Sequence, residues 1–208
     1  MIIIVDYDTG NTRNVQKALD FIGLESQISD QAADILAADG LILPGVGAYA
    51  LAMEQLKQRN LISVLNEAVE RGIPLLGVCL GMQLLLEGSM EYGYHDGLGF
   101  IPGICEKLPE EKAFPVPHMG WNQLMVTQEN ALTKEIADEY FYFVHSYYAD
   151  CEPEYIDGLA QYSLKVPAVI SKGNVYGAQF HPEKSGEAGM TLLKGFKEVV
   201  DHASITRN

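Results

Sequence analysis

Short apolar runs alternate with segments of helical period through the first half of the chain. Ile2 to Asp6, Gly40 to Leu43 and Leu75 to Val78 have strand length, while Val15 to Ile22, Ala48 to Gln58, Leu61 to Arg71 and Met82 to Glu87 have helical spacing. That alternation predicts parallel strands joined by right-handed crossovers, an open α/β sheet flanked by helices. Beyond Gly88 the pattern changes. Turn residues fill Glu91 to Gly99, and strand-like runs follow at Trp121 to Val126, Tyr140 to Tyr148, Ile156 to Tyr162, Val166 to Ser171 and Val175 to Phe180. Several are β-branched or aromatic and close enough to pair as hairpins, with Lys172-Gly173-Asn174 as one turn. The sheet is therefore expected to be mixed and mostly parallel. A last helix, from about Gly186 to His202, lies on one face through Met190, Leu192, Leu193, Phe196, Val199 and Val200. No linker or repeat interrupts the pattern, so residues 1–208 read as a single domain.

With 208 residues, 48% of them hydrophobic and 20% charged, the chain can bury a sizeable core. Its net charge of -14 argues against nucleic acid or an anionic membrane as partner, since either calls for a basic footprint and no Lys/Arg cluster supplies one. Three cysteines, an odd number, speak against a disulfide framework and for a reducing cytoplasm. The start of the chain is too short for a targeting segment and reads as a buried strand, and no apolar run nears the roughly 18 residues that cross a bilayer. The cysteines lack the paired spacing of a zinc site, and no glycine-rich run ends in Lys-Ser or Lys-Thr, so neither a metal nor a nucleotide cofactor is expected.

In open sheets of this kind ligands bind beyond the carboxyl ends of the strands, and three strand ends here carry chemistry. At one, Cys79 sits between strand and helix with Gly77 and Gly81 two residues to either side. Such a residue is either an inert core cysteine or a nucleophile on a tight elbow, where flanking glycines leave the side chain standing clear and a helix N-terminus faces it. The glycines favour the elbow. At a second, His181-Pro182-Glu183 supplies a base and a carboxylate to orient it, with Pro182 biasing His181 away from helix. The remaining histidines have no acidic neighbour at such spacing. At the third, Pro44-Gly45-Val46-Gly47 is either a plain strand-to-helix turn or an oxyanion hole, in which the N–H of Val46 and that of Leu80 would face a tetrahedral intermediate. Glycines on both sides of Val46 would let that peptide rotate, making donor presentation a candidate switch.

The residues Gly77-Val78-Cys79-Leu80-Gly81-Met82-Gln83 and His181-Pro182-Glu183 resemble the class I, triad-type glutamine amidotransferases. Within that class, five segments resemble the family of glutaminase subunits of imidazole glycerol phosphate synthase. They are Asp6 to Asn11, Pro44 to Gly47, His118-Met119-Gly120-Trp121-Asn122, Phe143 to Tyr147, and His181 to Ser185. The resemblance spans nearly the whole chain and implies the flavodoxin-like amidotransferase fold. It implies Cys79, His181 and Glu183 as a triad that hydrolyses glutamine through a thioester. It also implies Gln83, Gly47, the backbone of Ser146 and Tyr147, and, on a looser alignment, Glu91 as groups that hold the amino acid end of glutamine. The ammonia would pass to a (β/α)8 barrel cyclase in a heterodimer, docked on a face that includes Met119, Trp121 and Lys184. That partner would form imidazole glycerol phosphate and an aminoimidazole carboxamide ribonucleotide for histidine synthesis.

One residue departs from that pattern. The family usually has glycine where Asp8 stands; aspartate tolerates left-handed backbone, but it brings a charge close to the implied interface. Two other readings compete. One is an amidotransferase subunit feeding anthranilate, aminodeoxychorismate, pyridoxal phosphate or purine synthesis, against which the His118 to Asn122 segment and the Pro-Gly-Val-Gly loop speak. The other is a non-catalytic interaction subunit, which the presence of all three triad residue types disfavours.

Overall fold

The computed structural model describes residues 1–207, with side chains as far as Ile205. The chain begins β1 (Ile2–Val5), α1 (Thr12–Phe21), β2 (Ser26–Ser29), α2 (Ala32–Leu36), β3 (Gly40–Leu43), α3 (Tyr49–Gln58), α4 (Leu61–Glu70), β4 (Leu75–Val78) and α5 (Leu80–Leu84). It continues through β5 (Leu86–Ser89), β6 (His95–Asp96), β7 (Ile101–Lys107), β8 (His118–Val126), β9 (Tyr140–His145) and β10 (Tyr147–Asp150). β11 (Ile156–Gln161), β12 (Lys165–Lys172), β13 (Val175–Ala178) and α6 (Gly186–Arg207) complete it.

Every residue of β1, β3 and β4 is buried, because layers pack on both faces of the sheet they form. Ile3, Val5, Leu41, Leu43 and Leu75 point toward α2 to α5; Ile2, Ile4, Ile42, Leu76 and Val78 point toward α1 and α6. The large sheet runs β2-β1-β3-β4-β13-β12-β11-β8-β9, parallel from β2 to β13 and antiparallel from there to β9. The mixed, mostly parallel sheet expected from the sequence is thus present in its first half, followed by an antiparallel extension. β12 and β13 form the hairpin that turns at Gly173, whose φ is 61°.

Two expectations change. The run Met82 to Glu87 is not one helix: α5 ends at Leu84 and the chain becomes β5, whose backbone pairs with β6 and β7 in a second sheet ordered β10-β7-β5-β6. Likewise Tyr140 to Tyr148 is not one strand. β9 is the edge of the large sheet, β10 belongs to the small one, and Ser146 alone lies between them. The crossing from sheet to sheet therefore happens beside the strand ends that carry the candidate chemistry. Among the described residues no helix is long and apolar enough to cross a membrane.

Candidate active site

β4 ends at Val78, α5 starts at Leu80, and Cys79 makes the whole turn between them. Its φ is 55°, a left-handed value costly for any residue with a Cβ, and the carbonyl of Ala178 receives its N–H at 2.8 Å. The elbow glycines answer a different need from clearing the side chain alone. A Cβ on Gly81 would overlap the Leu43 carbonyl, and one on Gly77 would lie 2.6 Å from the Gly81 carbonyl oxygen. Backbone here packs on backbone. The thiol is buried, with the Val144 carbonyl and the Gln179 side-chain amide each 4.0 Å from Sγ.

His181 follows β13, the strand beside β4, and its N–H is held at 3.0 Å by the Tyr142 carbonyl of β9. Pro182 opens a single 3-10 turn that brings Glu183 back under the ring, so that His181 Nδ1 bonds Glu183 Oε1 at 2.7 Å with both side chains buried. Burial opposes a charge on the ring, but the interactions with Cys79 and Glu183 outweigh it and lift His181 to about 9. Burial would also raise Glu183; the bonds from His181 and Asn11 overcome it and hold the carboxylate below its ordinary range. Nε2 of His181 is buried and makes no hydrogen bond within normal distance, which leaves it as the ring nitrogen that faces Cys79, whose hydrogen-bonding interaction with the ring is the leading cause of the rise.

The third strand end lies across the elbow. Tyr7 Oη donates to the Pro44 carbonyl at 2.6 Å, and a Cβ on Gly45 would stand 3.1 Å from the amide nitrogen of Gly81. Gly47 has a φ of 101°, and Val46 is partly exposed. Leu80, first residue of α5, has an N–H with no intrahelical acceptor, next to the nucleophile. The loop after β3 thus approaches the elbow from the side of β4 opposite β13, the strand that leads to His181.

A cavity of about 350 Å³ opens on this cluster, lined by Val46, Gly47, Cys79, Leu80, Gln83, Glu91, Ser146, Tyr147, His181 and Lys184 among others. The sequence-derived site residues are therefore gathered in one place, save Met119 and Trp121, which are exposed on β8, and Glu183, which lies behind His181. Gln83 is buried and spends its amide nitrogen internally, on the Tyr147 carbonyl at 3.0 Å and on Gln179 Oε1 at 3.1 Å. Glu91 spends one oxygen on the N–H of Tyr49 at the start of α3, 2.6 Å away. Asp8 adopts a φ of 64° and is paired with Arg59, a guanidinium it shares with Asp30, which Arg59 bonds at 2.9 Å. Among the described residues no group of three His, Cys, Asp or Glu side chains could hold a metal ion.

Four residues in or beside the site carry no local signal in the sequence. Asn11 donates to Glu183 Oε1 at 2.5 Å from the loop before α1. Gln179 reaches the thiol from the end of β13. His118 and His145, without acidic neighbours, bond each other at 2.9 Å. Each depends on pairing between distant strands.

The family description "Glutamine amidotransferase class-I" matches residues 3–199. Over 199 residues the chain is 60% identical to the imidazole glycerol phosphate synthase subunit HisH of Listeria monocytogenes serovar 1/2a, with 96% of each covered. Over 200 residues it is 54% identical to the HisH subunit of Streptococcus sanguinis, covering 96% of this chain and 97% of that one. Among solved structures, a glutamine amidotransferase crystal structure aligns with a TM-score of 0.77 at 20% identity, over 97% of this chain and 100% of that one. The structure of PurLQS from Thermotoga maritima aligns with a TM-score of 0.71 at 21% identity, over 95% and 97%. At such identities these two structures speak for the fold.

Proposed function

The chain belongs to the class-I glutamine amidotransferase family, and on that footing we propose that it is the glutaminase subunit of imidazole glycerol phosphate synthase in histidine biosynthesis. The observation that carries the reading is Cys79 and His181 on the wall of one cavity, with the nucleophile at the mouth of a helix and the base oriented from behind by the buried Glu183 carboxylate.

Cys79 Sγ attacks the side-chain amide carbon of glutamine. The developing oxyanion is taken by the N–H groups of Leu80 and Val46, the latter on a peptide that its flanking glycines leave free to rotate. His181, protonated, gives its proton to the departing nitrogen, leaving ammonia and a thioester on Cys79. The now neutral ring activates water, which hydrolyses the thioester to glutamate. Glu183 keeps Nδ1 occupied throughout, so that Nε2 is the nitrogen that exchanges protons. Gly47, Gln83, Ser146, Tyr147 and Glu91 surround the space left for the amino acid end of the substrate. No metal or organic cofactor has a part in these steps.

Ammonia released into water would be protonated and lose its nucleophilicity, so the reading includes a second chain that receives it. A (β/α)8 barrel cyclase is the proposed acceptor, in a heterodimer. Exposed Met119 and Trp121, with Lys184 at the cavity rim, are the proposed docking residues. Aromatic and methionine side chains left in water in this way are typical of interface cores.

Two measurements test the reading. Labelling by a glutamine-like electrophile should fall on Cys79 and vanish in Cys79→Ala; labelling elsewhere would refute the nucleophile. Mixing the chain with a barrel cyclase and its nucleotide should raise glutamate formation well above that of the chain alone; neither complex nor stimulation would sink the partner assignment.

A further inference from the structure

His118 and His145 face each other across the β8–β9 ladder, both buried, and the reaction as derived uses neither. His118 Nδ1 lies 2.9 Å from His145 Nε2, and His145 Nδ1 lies 2.8 Å from the Tyr147 carbonyl oxygen. At the far end Asn122 Nδ2 stands 3.3 Å from His118 Nε2. A carbonyl only accepts, so His145 carries its proton on Nδ1. A neutral His145 then offers a bare Nε2, to which His118 donates from Nδ1. That leaves His118 Nε2 to accept from the Asn122 amide. One carbonyl thus sets the direction of every bond in the chain. Phe143 and Tyr162 stack on the two faces of His118, with ring centroids 4.8 and 4.0 Å away. Burial pushes His118 down to about 4 and His145 to about 3, which keeps both rings neutral.

The carbonyl at the end belongs to a residue of the cavity wall. Tyr147 faces Lys107 across the β10–β7 ladder, and the N–H of Leu108 bonds the carbonyl of Ser146 at 2.9 Å. By the alternation of antiparallel pairing, Tyr147 is then in a non-hydrogen-bonded pair and turns both its N–H and its C=O away from β7. Its C=O takes two donors, His145 Nδ1 and Gln83 Nε2. In an extended strand the N–H on the same side is oriented with it.

We propose that His118 and His145 are positioning residues: through the Tyr147 carbonyl they hold the Tyr147 N–H toward the α-carboxylate of glutamine bound beside Cys79. The inference rests on the glutaminase reading. Both nitrogens of His145 are already engaged, so the ring neither takes a proton from the substrate nor gives one. Its contribution is to binding, equally in ground and transition states.

Steady-state glutamate formation by the full chain in its stimulated complex tests this. His118→Leu removes the donor to His145 and should raise KM for glutamine about tenfold with kcat within about threefold, the pattern of lost uniform binding. His118→Asn places an amide nitrogen where Nδ1 stood and should keep KM within about threefold of wild type. An unchanged KM in folded His118→Leu, or a fall in kcat at constant KM, overturns the proposal. Nitrogen-15 spectra of the unmodified chain decide the matter if the variant does not fold: Nδ1–H tautomers in both rings are expected, and an Nε2–H tautomer in either overturns it. Failure of the glutaminase reading itself would show differently, as a wild-type chain that neither forms glutamate nor labels at Cys79.

Discussion

Asn11 and Glu183, separated by 172 positions in the chain, meet at 2.5 Å through the Asn11 side-chain amide and the carboxylate oxygen that also holds His181. Removing that donor leaves a buried carboxylate with one partner fewer. Asn11→Ala is expected to lower kcat for glutamine by about tenfold, the scale of a hydrogen bond to a charged group. Because the Asn11 bond is among the forces holding Glu183 down, its loss raises Glu183, and the acid limb of kcat/KM moves to higher pH. A pH–rate profile of the variant checks both.

His181 is raised to about 9 by Cys79 and Glu183, against the pull of burial. The imidazolium that protonates the leaving nitrogen is therefore present across neutral pH and disappears as pH passes about 9. The alkaline limb of kcat/KM is expected there, as a property of the coupled pair, and should move to lower pH in Glu183→Gln. Stability follows the same sign. A folded value above the unfolded one, about 6.5, contributes stability that is whole below pH 6.5 and is lost as pH rises through about 9. Urea midpoints at pH 6.5 and 9.5 should differ in the wild type, and less in His181→Asn.

The opposite sign holds for the histidine pair. His118 at about 4 and His145 at about 3 lie below the unfolded value, so unfolding takes up protons between pH 6.5 and 4 and stability is lost as pH falls across that window. His118→Asn should remove about one proton from the slope, or roughly 1.4 kcal/mol per pH unit at most. Urea titrations at several pH values between 4 and 7 measure it.

Cys79 holds a φ of 55° whatever its side chain. Both Cys79→Ala and Cys79→Gly abolish turnover, but only glycine relieves the backbone. Cys79→Gly is expected to be the more stable of the two by about 1 kcal/mol, the reverse of the usual order of these residues in a regular element. Chemical denaturation of the two inactive chains makes the comparison; a less stable glycine variant would show that the turn is unstrained.

What the sequence discloses depends on distance along the chain. Gly40–Leu43 and Leu75–Val78 are readable to the residue, since a strand buried on both faces is an unbroken apolar run. Cys79 between its glycines and His181 two residues from Glu183 are readable because the relevant spacing is local. β2, whose sequence is Ser-Gln-Ile-Ser, has no such run because it is an edge strand, and five-residue α2 is too short to establish a period. β7 contains Pro102 and Gly103, and its place in a second sheet depends on partners from β5 and β10. Asn11 on Glu183, Gln179 on Cys79 and His118 on His145 follow from strand order, which no window of the sequence contains. Trp121, open to either a core or an interface reading in the sequence, is exposed at 57%.

The backbone contacts among Gly45, Gly77 and Gly81 bear on how such a chain can change over generations. A side chain at position 79 can be exchanged in one step and the catalytic thiol lost, while the glycines around it cannot follow, because the Leu43 carbonyl and the Gly81 backbone occupy the space a Cβ would need. A descendant that gives up catalysis and survives as a scaffold would therefore go on wearing the elbow. In a set of diverged sequences the glycines report ancestry and architecture, while position 79, together with positions 181 and 183, tells the living enzyme from its relic.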